Sequence, residues 1–149
     1  MAKKSTALPS LEAVDELIAF VAELCRPGFK PVLSWEGGKT KPDGSIQVPW
    51  PVYHPRVNDF IETISRGGWI DPDYAPGAAA AMLGNANTVE QATPDEVKGM
   101  LTYVVRGERF SDGHWAAVIE SGKLCHLLER IMQLRQTLAG PASDEDRSR

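Results

Sequence analysis

Apolar residues recur at intervals of three and four along most of the chain, which is the spacing of an amphipathic helix. The first such stripe lies in the segment LEAVDELIAFVAELC, directly after Pro9 and Ser10. Ser10 is the predicted N-cap, because its hydroxyl oxygen can accept a hydrogen bond from a free backbone N–H of the first turn. Pro27 and Gly28 are predicted to end this helix.

Similar stripes predict five further helices. Their starts are placed at Pro55, in the alanine-rich segment AAAAML, at Pro94, after Ser111 or Asp112, and after Gly122. The start at Pro94 is the most specific. Thr93 can cap it, proline suits the first helical position, and Glu96 can accept from the Thr93 backbone N–H, which together make a capping box.

Between the first two helices the pattern changes to short extended runs. The runs Val32–Glu36 and Ser45–Pro49 flank two glycines and the turn-forming triplet PDG. This arrangement predicts a small β-hairpin that has to lean on helices to persist. Pro49 and Pro51 restrict its second strand to the edge of a sheet, because proline has no N–H to donate.

The elements together predict a mainly α (α+β) fold, with about six helices in one compact bundle-like domain and a small β-hairpin. A chain of 149 residues suits one such domain. We expect the globular domain to span residues 10–139. Residues 1–9 are predicted to be a flexible N terminus. Residues 140–149 are predicted to be a disordered tail, because this segment is polar and offers no apolar anchor.

Composition argues against several kinds of partner. Sixteen Lys and Arg against twenty Asp and Glu give a net charge of −4, so net charge supplies no general attraction to nucleic acid. Nucleic-acid binding is therefore predicted to be unlikely. No apolar run approaches the length that a membrane-spanning helix needs, so we predict no membrane partner and a soluble chain.

The cysteines and histidines indicate neither a disulfide framework nor a metal site. Cys25 and Cys125 are far apart and form no CxxC pattern, so we predict two reduced thiols in a cytoplasmic protein. His54, His114 and His126 have no pair at helical i,i+3 or i,i+4 spacing. We therefore predict no metal and no cofactor.

The segment LTYVVRGERFSDGHW holds the densest set of candidate site residues. Arg106 and Arg109 could grip a carboxylate or phosphate, with His114 as the nearby group that titrates near neutrality. Alternatively, the segment is a structural corner between two helices, in which Glu108, Asp112 and Glu120 pair with the arginines. The corner is the favoured interpretation. The candidate binding set comprises Arg106, Arg109, His114, Asp112, Glu108 and Tyr53.

No catalytic residue is predicted, because no serine lies in a nucleophile elbow and the glycines before Lys39 lack the phosphate-loop pattern.

The aromatic residues could stack on bases, but we expect them to close the core where the sheet meets the helices. Exposure of two or three of them together would instead mark a protein-binding patch. These residues are Trp35, Trp50, Tyr53, Trp69 and Trp115.

Two motifs carry a resemblance to a known family. A P-aromatic-P-x-Y step lies at Pro49–Tyr53, and an L-T-x-x-x-R-x-x-R-F-x-x-G step lies at Leu101–Gly113, before two helices separated by Ser121-Gly122. The chain resembles, over nearly its whole length, a bacterial and phage family known only as domain of unknown function 6508. The resemblance implies a small, mostly helical domain and brings no activity or catalytic residue. Ser111 stands where the family commonly has cysteine, which argues against thiol chemistry there.

These observations favour a small intracellular protein that is not an enzyme. We predict a protein-interaction or regulatory domain, whose partner is another protein or a second copy of itself. The resemblance adds a possible association with phage or mobile elements. The alternative is a small enzyme or ligand-binding protein that holds an anionic group between Arg106, Arg109 and His114.

Overall fold

A computed structural model describes residues 8–46 and 48–147, with side chains as far as Thr137. Within these residues the chain forms eight helical segments and one two-stranded sheet. In order they are α1 (Leu11–Ile18), α2 (Val21–Leu24), β1 (Val32–Glu36), β2 (Trp50–Tyr53), α3 (Pro55–Arg66), α4 (Pro76–Leu83), α5 (Ala86–Glu90), α6 (Pro94–Gly107), α7 (His114–Glu120) and α8 (Lys123–Arg147). The prediction of a mainly helical fold with a small hairpin is confirmed.

The helix starts with strong capping signals lie where they were predicted. The Ser10 hydroxyl accepts a hydrogen bond from the Ala13 N–H at 3.1 Å. At α6 the Thr93 hydroxyl accepts from the Glu96 N–H at 3.2 Å, and the Glu96 carboxylate accepts from the Thr93 N–H at 2.9 Å. Both caps satisfy N–H groups that the first helical turn leaves free.

Two helix boundaries differ from the prediction. The predicted first helix is divided into α1 and α2, because the Phe20 N–H bonds to the Leu17 carbonyl in a tighter three-residue turn. This turn buries Phe20, whose ring meets Phe60 of α3 edge-on at 5.3 Å. In addition, the structure contains a short helix that was not predicted, α5, which Asn85 caps by accepting from the Thr88 N–H.

The apolar stripes of α1, α3, α6 and α8 meet in one core. Its largest fully buried side chains include Leu17 of α1, Phe60 and Ile64 of α3, Met100 and Leu101 of α6, and Leu124, Leu127, Leu128 and Ile131 of α8. Leu8 also packs there, although it lies in the predicted flexible segment 1–9. Residues 1–7 are outside the described residues.

The hairpin uses a different second strand from the one predicted. β1 spans Val32–Glu36 as expected, but its antiparallel partner is Trp50–Tyr53 and not Ser45–Pro49. Among the described residues of the predicted run, strand pairing is limited to an isolated bridge across the turn, between Thr40 and Ile46. The predicted run stopped at Pro49, whereas the paired strand begins after it and includes Pro51, which is tolerated because this strand has a free edge.

A β-bulge lies in β1, between the pairs Val32–Tyr53 and Ser34–Val52. One extra residue on the bulged strand changes which face the following side chains occupy. Trp35 therefore shares a face with Tyr53, which is buried against the helices.

The last helix, α8, is 25 residues long and continues as helical backbone through residues 140–147, where we predicted a disordered tail. The disorder of residues 140–149 stays a prediction. Residues 148–149 lie outside the described residues. No helix in the described part of the chain, α8 included, is long and apolar enough to cross a membrane.

Cys25 and Cys125 form a disulfide, so the prediction of two reduced thiols is wrong. Their Cα atoms are 5.8 Å apart, although 100 residues separate them in the sequence. The pattern could not reveal this pairing, because it depends on α2 packing against α8. The bond ties the N-terminal helices covalently to the last helix.

Removal of the disulfide is predicted to destabilise the fold. A Cys25→Ala/Cys125→Ala double variant should lose about 2–5 kcal/mol of unfolding free energy, because the unfolded chain regains the freedom that a long closed loop denies it. Urea denaturation with and without dithiothreitol measures the change. Dithiothreitol should lower the stability of the wild type alone, and an equal response of the double variant would contradict the assignment.

Candidate functional site

Glu108 lies at the C-terminal end of α6 and accepts three hydrogen bonds. Its Oε1 accepts from the Tyr53 hydroxyl at 2.7 Å and from the Trp115 backbone N–H at 2.9 Å. Its Oε2 accepts from the Gly113 N–H at 2.8 Å. One carboxylate therefore joins the end of α6, the start of α7 and the end of β2.

The carboxylate of Glu108 also serves as the cap of α7. Helices begin with N–H groups that have no partner within the helix, and negative charge is favoured at that end. We expected Ser111 or Asp112 to cap this helix, and that expectation is wrong. The N-cap residue is Gly113, with φ +91°, and the capping acceptor comes from the preceding helix.

Tyr53 is the link between the hairpin and this corner. Its hydroxyl donates to Glu108 and accepts from the Ala116 N–H at 3.4 Å. Burial, together with the hydrogen bond to Glu108, holds the pKa of Tyr53 well above its usual value. Its ring lies 5.0 Å from that of Trp115, whose indole N–H donates to the Val105 carbonyl.

His114 is half-buried inside the corner and does not face solvent as a free base would. Its ring meets Tyr103 edge-on at 4.8 Å and lies so close to Gly107 that a side chain at position 107 would collide with it. Its Nε2 is buried and has no hydrogen-bond partner among the described residues. Burial lowers the pKa of His114, although Glu108 and the Tyr103 backbone act in the opposite direction.

The arginines do not form the predicted ion pairs. In residues 8–46 and 48–137, neither Arg106 nor Arg109 makes a salt bridge with Glu108, Asp112 or Glu120. The Arg106 guanidinium lies over the Tyr74 ring at 5.5 Å, while Arg109 and Asp112 are exposed. The prediction was wrong because the Glu108 carboxylate is already used by backbone N–H groups and Tyr53.

The structure therefore brings together only part of the predicted site. Tyr53, Glu108 and His114 belong to one cluster, and no described side-chain contact joins Arg106, Arg109 or Asp112 to it. Sequence reasoning missed the backbone groups that Glu108 binds. The sequence did contain one signal for this capping role. Glu108 is an acidic residue at the end of one predicted helix, only a few residues before the start of the next, where free N–H groups favour a negative charge.

His54 and the two cysteines serve structural roles. The His54 side chain caps α3 by accepting from the Arg56 N–H at 3.0 Å, and Cys125 is consumed by the disulfide. Across the described part of the chain, no group of three His, Cys, Asp or Glu side chains could hold a metal ion.

Residues 9–137 match the model of a family of unknown function, DUF6508. The chain belongs to this family. No curated protein and no solved structure matches it. DUF6508 membership brings no activity or ligand, so any function has to be argued from the surface of the domain.

The hairpin carries the most unusual surface of this DUF6508 domain. Tyr53 and Trp69 are buried as expected, but Trp35 and Trp50 are 53% and 41% exposed. The prediction that all five aromatic residues close the core is thus wrong for these two. Four further large apolar residues of the hairpin region are also exposed: Leu33, Ile46, Val48 and Val52.

Loss of the Glu108 carboxylate is predicted to destabilise the protein far more than loss of either arginine. Glu108→Ala leaves three donors without their acceptor and should cost about 3 kcal/mol of unfolding free energy. Arg109→Ala, an exposed position without a described ion pair, should change it by less than about 0.5 kcal/mol. Chemical denaturation of both variants checks this, and equal losses would show that Glu108 is not the anchor.

His114 should make the protein less stable in mild acid. Because its pKa is lowered on folding, the unfolded chain takes up the proton first as pH falls below about 6.5, so the unfolding free energy decreases. Urea denaturation at pH 7 and pH 5 measures this loss, which should be smaller in His114→Phe. An identical loss in the variant and the wild type would exclude His114 as its source.

Proposed function

We propose that this domain is a protein-interaction module and that its hairpin is the recognition surface. The observation that carries the proposal is the cluster of six exposed large apolar side chains between Leu33 and Val52. Single exposed apolar residues are normal on protein surfaces, but a group of them on one small element is typical of an interaction site.

The register of the hairpin explains why Trp50 and Val52 face outward. Successive side chains of a strand alternate between the two faces of the sheet. Tyr53 turns inward to Glu108, so Val52 points to the opposite face, together with Ser34 and Trp50. A two-stranded sheet is marginally stable alone, and a partner that covers its outer face would add stability.

The Glu108 corner supports this function by holding the hairpin in place. Tyr53 ends β2 and is bonded to both Glu108 and α7. Trp35 packs against Gly113, where its ring lies 3.1 Å from the position that a Cβ would occupy. The surface is therefore presented by a fixed element, which lowers the entropic cost of binding.

Anion binding by Arg106, Arg109 and His114 is a second candidate with less support. The one favourable observation is that neither guanidinium forms an ion pair among the described residues. Against it, Arg106 lies over Tyr74, and the His114 ring is packed between Gly107 and Tyr103. An enzyme would need these groups to converge in an open cleft.

Two finer aspects of the proposal rest on the sequence alone. The negative net charge argues against nucleic acid as the partner. Association with phage or mobile elements rests only on the family resemblance. A cytoplasmic location was inferred from two reduced thiols, and the Cys25–Cys125 disulfide removes that argument.

The recognition surface can be tested by affinity capture from the organism that encodes the protein. Ile46 and Val48 are 71% and 72% exposed, so Ile46→Ser/Val48→Ser should leave the fold intact and reduce partner recovery at least fivefold. Trp50 is less suitable because its ring packs over Gly37. The matched control is Leu11→Ser, which alters an exposed apolar residue on α1 and should retain the partner.

Mass spectrometry of the recovered proteins measures the result. Equal recovery by the hairpin variant and the wild type would contradict the proposed surface. Equal loss in both variants would show that general surface hydrophobicity, and not the hairpin, determines recovery.

A further inference from the structure

The two edges of the hairpin differ in their capacity to pair with another strand. Pro51 lies opposite Trp35 and has no N–H, so this pair cannot be one of the hydrogen-bonded pairs of the antiparallel ladder. The nitrogen of Pro51 therefore faces the outer edge of β2, where it offers no donor. Proline on an edge is a common means of preventing further strand addition.

The outer edge of β1 is open. Because the Trp35–Pro51 pair is not hydrogen-bonded, the N–H and C=O of Trp35 point away from β2. The N–H and C=O of Val32 also point away from β2. The hydrogen bond from the His54 N–H to the Pro31 carbonyl, at 2.7 Å, flanks the Val32–Tyr53 pair, so this pair is not itself hydrogen-bonded. Within the described residues, no backbone or side-chain group outside β2 bonds to the main chain of Val32 or Trp35.

A groove of about 320 Å³ follows this edge. It is lined by consecutive residues from Lys30 to Trp35, and its other wall is formed by Ala116 and Glu120 of α7. Side chains of a strand alternate between the two faces of the sheet, so a groove on one face would touch only every second residue. This groove touches consecutive residues and therefore runs along the edge of the strand. No residue of β2 contributes to it.

We infer that a second copy of this chain pairs with β1 along this edge, antiparallel, to form a four-stranded sheet across a two-fold axis. Val32 of each copy would lie opposite Trp35 of the other. This register joins the outward N–H and C=O groups of both residues and places a β-branched residue beside an aromatic one, a favourable cross-strand pair. The inference rests on the proposed function, because it names one partner of the same hairpin.

A second copy fits this edge for reasons of symmetry and closure. Val32 and Trp35 are equally far apart in both copies. When Val32 of one copy pairs with Trp35 of the other, the two-fold axis therefore also pairs Trp35 of the first with Val32 of the second. The other edge of each hairpin is blocked by Pro51. The assembly therefore closes at two copies and does not continue into a filament.

Exposed apolar side chains on β1, and on the segment before α7 that Trp35 contacts at Gly113, are available to a dimer. A standard interface takes about 800 Å² from each partner, somewhat more than half of it apolar. Leu33, Trp35 and Phe110 are 60%, 53% and 84% exposed. An aromatic side chain has about 150–250 Å² of surface, and leucine has somewhat less. With the exposed fractions given above, these three residues expose roughly 400 Å² in all.

The test compares Trp35→Pro with Trp35→Val by analytical ultracentrifugation. Both variants lose the indole ring, but only the proline variant loses the outward N–H, and neither removes a bond to β2. We expect the wild type to be a dimer, and Trp35→Pro to dissociate at least tenfold more readily than Trp35→Val. A monomeric wild type, or equal dissociation of the two variants, would overturn the inference.

Amide hydrogen exchange on the wild type covers the case in which Trp35→Pro does not fold. The amides of Val32 and Trp35 should become more protected as protein concentration rises, and the Leu11 amide should not change. Protection at Val32 and Trp35 that is independent of concentration would overturn the inference.

The Ile46→Ser/Val48→Ser variant separates the two proposals. It should remain dimeric while losing the captured partner. A monomeric wild type that still captures a partner through the outer face would remove the dimer alone. A dimer whose Ile46→Ser/Val48→Ser variant captures its partner as well as the wild type would remove the proposed recognition surface alone.

Discussion

The arrangement of the C-terminal half and the hairpin depends on one carboxylate. Glu108 lies at the end of α6, caps α7 and accepts a hydrogen bond from the Tyr53 hydroxyl of β2. One carboxylate therefore joins these three elements. A partly buried charge is tolerated only when its hydrogen bonds are satisfied, and here the donors come from parts of the chain that must be correctly placed together. The bend after α6 and the position of the hairpin are therefore set by the same interaction.

Local signals in the sequence predicted the helices well, because a cap and its partner lie within one turn. Ser10 and Thr93 are examples, and each caps the helix assigned to it. Contacts between distant residues could not be read in this way. Tyr53 and Glu108 are 55 residues apart, and the two cysteines 100, so both contacts appear only once the helices have packed.

The candidate site shows the same division between local and distant information. Sequence reasoning selected the segment that contains Glu108 and His114 and favoured a structural corner, but it expected acidic partners for arginines that form no ion pair among the described residues. It could not foresee that Glu108 would bond to Tyr53 and to backbone groups. The exposure of Trp35 and Trp50 was equally hidden, since it depends on how the hairpin packs against the helices, which no local sequence pattern reveals.

The disulfide has a consequence for how the molecule responds to cleavage. Residues 25 to 125 form a covalent ring that contains the hairpin, α3 to α7 and every loop between them. A protease that cuts once within the glycine-rich stretch between the strands would open the ring without releasing a fragment. The cut chain would still migrate as a single species under non-reducing conditions, and it could keep its core assembled while the recognition strands gained new ends.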